Sequence, residues 1–100
     1  MEFDQLKTQY LELGERKFYN KIMLLALDRV DLISNNLYKG TYPHIEYIKV
    51  YDKLYLLYKQ EGDDIFLNIA KLFRKASNKI YRTLLKKKLI EKNNKFFNLI

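Results

Sequence analysis

Apolar side chains return every three or four residues along most of this chain, and no stretch alternates strictly between polar and apolar positions. That spacing predicts helices and no strands. The clearest case follows Gly62, where Ile65, Ile69, Leu72, Phe73, Ala76, Ile80 and Leu84 fall on one side when successive residues are turned by about 100°. Lys71, Lys75, Lys79, Arg82 and Lys86 fall about half a turn away, so a core face and a basic face lie back to back on one helix.

Between Pro43 and Glu61, Tyr47, Tyr51, Tyr55 and Tyr58 form a narrow stripe, edged by Ile48 on one side and by Val50, Leu54 and Leu57 on the other. The arc covers about half the helix, wider than the roughly 100° stripe of an ordinary surface helix, and predicts two packing neighbours. The tyrosines are expected in the core, with their hydroxyls reaching the boundary with water. Leu56, among Lys49, Lys53 and Gln60, fits no part of this scheme.

Earlier in the chain, Phe18, Ile22, Leu25, Ala26, Val30, Ile33 and Leu37 share a face. Phe3, Leu6, Tyr10 and Leu13 repeat in a 3-4-3 pattern that would point nearly the opposite way in an unbroken helix. Gly14 sits at the junction, and glycine costs about 1 kcal/mol relative to alanine inside a helix, so a kink or break is expected there. Residues 1–13 then either fold back or extend as an arm toward a second copy, which makes Phe3, Leu6, Tyr10 and Leu13 candidates for self-association. Phe96 and Phe97 join them, because the tail Phe96-Phe97-Asn98-Leu99-Ile100 would be costly in water and is expected to cover the bundle or a partner chain.

Glycine and proline punctuate these helices. Gly40 is suited to end one and Pro43 to open the next, while Gly62 caps a C-terminus and an aspartate of Asp63-Asp64 the following N-terminus. The expected fold is all-α: an up-and-down bundle of three main helices, about 15–38, 43–61 and 64–91, behind a short N-terminal helix kinked or broken at Gly14. One hundred residues suit a single domain spanning 1–100.

Charge adds one feature. From Lys71 to Ile100 ten basic residues face one acid, Glu91, for a local +9, whereas residues 1–70 hold nine basic and eleven acidic side chains. Such asymmetry speaks about partners rather than fold. Lys71, Arg74, Lys75, Lys79, Arg82 and Lys86 are the candidate polyanion-binding residues, able to meet the phosphates of DNA or RNA without reading sequence. The helix-turn-helix outlined by the second and third main helices argues against base readout, because Asp63, Asp64, Ile65 and Phe66 occupy the end that would enter the groove.

Catalytic chemistry finds little support. The chain has no cysteine and one histidine, which excludes thiolate sites and two-histidine metal sites. His44 is expected to be a partly exposed helix-start residue, and Ser34 and Ser77 have no histidine near in sequence. Asp28 and Asp31, on a face shared with Lys17 and Lys21, are expected to be solvated ion-pair members, and Asp63 and Asp64 helix caps. Three scattered glycines cannot build a phosphate loop. The expectation is a non-enzymatic interaction protein without cofactor, metal or small-molecule substrate, whose partner is another protein or a second copy; the alternative is nucleic acid held by the basic helix. A membrane surface is the least favoured partner. No apolar run reaches the roughly 18–20 residues needed to cross a bilayer, and no basic and then apolar leader opens the chain, so a cytoplasmic location is expected.

Overall fold

A computed structural model of the chain describes residues 2–91 and contains four helices: α1 (Glu2–Leu13), α2 (Glu15–Ser34), α3 (Pro43–Glu61) and α4 (Asp64–Lys86). No strand occurs among the described residues. They pack as the expected bundle, with α4 at its centre, broadly against α3 and also against α2 and α1. The tail with Phe96 and Phe97 lies outside the described residues.

Gly14 breaks the first helix. Its φ of 82° and ψ of 164° belong to a region that side chains essentially forbid, so α1 stops and α2 sets off in a new direction. In a continuous helix residues 9 and 21 would be about 18 Å apart. Here the Lys21 Nζ donates to Gln9 Oε1 at 3.3 Å, so α1 doubles back along α2. Phe3, Leu6 and Tyr10 are thereby half-buried against the core of their own chain, while Leu13 is more exposed.

Two helix ends, those expected at about 38 and 91, come earlier than the sequence pattern predicts. α2 stops at Ser34 because Asn36 takes a left-handed conformation (φ 59°), with Asn36 N–H bonding Ile33 O at 3.1 Å and Leu37 N–H bonding Leu32 O at 2.9 Å. This pair of bonds closes a Schellman motif without glycine. The same motif ends α4 at Lys86, with Lys88 at φ 58° and N–H bonds from Lys88 to Leu85 O and from Leu89 to Leu84 O. Gly40 therefore lies in the connecting loop, where an added Cβ would stand 2.6 Å from the Tyr38 hydroxyl. Gly62 and Asp63 behave as expected: Gly62 is the left-handed cap of α3, and the Asp63 carboxylate accepts the Ile65 N–H at 3.0 Å.

The core joins Phe18, Ile22, Ala26, Val30 and Ile33 of α2 to Ile69, Leu72, Phe73, Ala76, Ile80 and Leu84 of α4. Phe73 anchors it, with the rings of Phe18 and Tyr47 edge-on at 6.2 and 5.1 Å, geometries favoured by the aromatic quadrupole. Burying each such side chain stabilises the fold by about 1.5–3 kcal/mol. Leu25 and Leu37 do not share in this, in contrast to the expectation from their spacing. The buried arc of α2 centres on Ala26 and Ile33, leaving Leu25 about a quarter turn from that centre and just past the arc's edge, and Leu37 lies beyond the helix end. Met23, on the opposite shoulder, is buried instead.

Candidate polyanion interface

All six cations singled out on α4, Lys71, Arg74, Lys75, Lys79, Arg82 and Lys86, are exposed. The hydrophobic pattern explains this: the core face turns toward α2 and α3, so the opposite side meets solvent. Two of the six lean onto neighbouring rings. The Arg74 guanidinium sits 5.6 Å from the Tyr51 ring centre on α3, and the Lys75 ammonium 4.9 Å from that of Tyr19 on α2. These contacts brace the two edges of the basic face. Lys79, Arg82 and Lys86 line a shallow groove with Thr83 and Leu85. Lys87 and Lys88 are also exposed but belong to the turn that ends the helix, not to its straight face.

The tyrosine stripe departs from its expected place in the core. Only Tyr47 is buried there, its hydroxyl donating to the Ile22 carbonyl of α2 at 2.6 Å. Burial pushes its phenol pKa up, so the hydroxyl stays a donor. Tyr51 and Tyr58 are half-buried and Tyr55 is exposed, while Leu54 takes the fully buried position. The buried line of α3 runs through Tyr47 and Leu54, and Tyr55 lies about a quarter turn from it, so the stripe straddles the edge of the face that α4 covers. Tyr51 and Tyr55 are stacked at 6.0 Å with ring planes 26° apart, and Tyr58 follows 6.0 Å from Tyr55. Lys59 lies over the Tyr55 ring at 5.5 Å. A ladder of rings, with Arg74 at its Tyr51 end and Lys59 over its middle ring, thus adjoins the basic face of α4, an arrangement spread over two helices and invisible in either pattern alone.

His44 was expected to be partly exposed and is instead 1% exposed. The loop after α2 lays the first turn of α3 on α4, where the Tyr42 and Tyr81 rings stand 6.2 and 6.0 Å from the imidazole. Burial lowers its pKa to about 4, because the protonated form would lose its hydration. Ser77 also comes close, but its hydroxyl donates to the His44 main-chain carbonyl at 2.7 Å. Both side chains are shut away from solvent, so this contact fastens α4 to α3 and offers no nucleophile to a substrate.

The acidic groups divide similarly. Asp63 caps α4 and accepts a hydrogen bond from the Lys7 ammonium at 2.6 Å, which fixes α1 over the α3–α4 turn. That bond, aided by the Ile65 N–H, holds the Asp63 carboxyl below its ordinary pKa and raises that of Lys7. Arg29 and Glu46 pair between α2 and α3. Asp28 and Asp31 do not form the ion pairs expected of them with Lys17 or Lys21 among the described residues. Spacing is the reason: four residues on from Lys17 is Lys21, four on from Lys21 is Leu25, and four back from Asp28 is Leu24.

Among the described residues no cluster of three or more histidine, cysteine or acidic side chains could hold a metal, and no helix is long and apolar enough to cross a membrane. Comparison of the chain with protein-family models, with curated proteins and with solved structures found no match in any of the three.

Proposed function

We propose that this is a small non-enzymatic helical interaction protein that acts through its surface. Its working surface is the basic side of α4 together with the emerging tyrosines of α3. The partner is a single-stranded nucleic acid held without sequence preference: Lys71, Lys79, Arg82 and Lys86 meet phosphates, while Tyr55 and its neighbours offer ring faces to bases. One observation carries this reading. Arg74 over Tyr51 makes the cations and the tyrosine ladder one continuous surface. An acidic protein would pair with the same cations but would have no use for stacked rings, which favours the nucleic acid as partner.

Anisotropy titration of labelled single-stranded RNA, single-stranded DNA and duplex DNA tests it. Contact of these four cations with four phosphates of a single strand gives a log–log salt slope near −3, or about 50-fold weaker binding at 200 mM than at 50 mM salt. Tyr55→Leu should weaken single-strand binding by about 1–3 kcal/mol without touching the salt slope. Arg82→Ala with Lys86→Ala should flatten that slope by about 1.4. Absence of binding at 50 mM salt would refute the proposal, and binding indifferent to Tyr55→Leu would refute the role of the rings.

A further inference from the structure

We infer that the outer face of α2 is a self-complementary seam through which two copies of this chain pair about a two-fold axis. The seam is the run Lys17, Lys21, Leu24, Asp28, Asp31, spaced four, three, four and three residues apart. That is the repeat of a helix-pairing stripe, and here it lies on the solvent side of the helix, not the core side. Leu24 is 65% exposed, and its neighbour Leu25 is 50% exposed. Leu32, further along the same side, is 42% exposed. Apolar groups this exposed and this close together on one helix face are unusual in a chain that buries its other apolar stripes.

Charge order selects the occupant. Read from its N-terminal end the seam runs two cations, a leucine, two carboxylates; read backwards it runs two carboxylates, a leucine, two cations. A second α2 laid antiparallel with Leu24 against the partner's Leu24 therefore sets Lys17 against the partner's Asp31 and Lys21 against the partner's Asp28. The two-fold axis repeats both pairs. A parallel register would oppose like charges throughout, so the same residues that favour one pairing forbid the other. The four charges also lack partners of opposite sign at helical spacing within α2, and none forms an ion pair among the described residues. Lys17, Lys21, Leu24, Leu25 and Asp28 line one open depression on this face, into which the partner's leucines fit. The seam spans 15 residues from Lys17 to Asp31, a rise of about 21 Å, which places the dimer among small, reversible interfaces.

The proposed nucleic-acid surface contributes nothing to this seam, so either proposal can fail while the other stands. Charge reversal provides the test. Sedimentation velocity on the wild-type chain up to about 200 µM should show the mass rising from 12.2 kDa toward twice that value. The variant Lys17→Glu with Lys21→Glu, and separately Asp28→Lys with Asp31→Lys, should each stay monomeric across the range. An equimolar mixture of the two variants should restore the dimer, because one seam is then wholly acidic and the other wholly basic. Helical circular dichroism and unchanged melting confirm that the exposed substitutions leave each variant folded. A wild type that remains monomeric throughout, or a dimer that survives either charge reversal, would overturn the inference.

Discussion

Lowering the pH from 7 to 4.5 should destabilise this protein through His44. The imidazole is buried in the native state with a pKa of about 4, whereas an unfolded histidine titrates near 6.5. Between these values the unfolded chain binds a proton that the native chain does not, so stability rises with pH across this window and falls as acid is added. Above about 6.5 both states are neutral and the histidine contributes no pH dependence; below about 4 both are charged and the slope ends. At pH 4.5 the accumulated loss is about 2.5 kcal/mol, at roughly 1.36 kcal/mol per pKa unit. That is a large part of the 5–15 kcal/mol typical of a whole domain. Urea unfolding followed by circular dichroism at pH 7, 6, 5.5, 5 and 4.5 measures it, with His44→Gln as the partner series. The variant should lose about 2.5 kcal/mol less than the wild type over that interval, whatever its stability at pH 7. His44 is the only histidine, so one imidazole resonance gives the native pKa directly. Parallel stability profiles for the two proteins, or a native pKa near 6.5, would refute the argument.

The backbone specials make further tests. Gly14→Ala should cost about 1–3 kcal/mol in chemical denaturation, because its φ of 82° with ψ of 164° excludes a side chain. Lys88→Gly should raise stability by up to about 1 kcal/mol, since glycine enters the left-handed cap without steric cost and Lys88 does not. Ser77→Ala should lower stability by about 1 kcal/mol through loss of the buried hydrogen bond to the His44 carbonyl, seen as a lower urea midpoint with an unchanged slope.

The first turn of α3 shows why legibility in the sequence was uneven. Pro43 and Gly62 marked the ends of that helix correctly because φ restrictions act on single residues. Whether His44 met water depended on α4, whose closest contribution, Ser77, is 33 residues away. The ends of α2 and α4 were misplaced for a related reason: Asn36 and Lys88 adopt left-handed conformations that their side chains only tolerate. The six α4 cations were legible as a face, but their junction with the tyrosines was not, since Arg74 and Tyr51 meet only when two helices dock.

By itself, then, the order of residues determined the helical class, the break at Gly14, the turn at Gly62 and the two-sided character of α4. Each follows from interactions within about four residues, where backbone sterics and helical periodicity act. Tertiary structure alone decided where the edge of the buried arc on α2 falls, how far the tyrosines emerge and that His44 stays uncharged well below its ordinary pKa. Burial is a property of what a neighbouring helix covers, and that depends on crossing geometry rather than on local spacing.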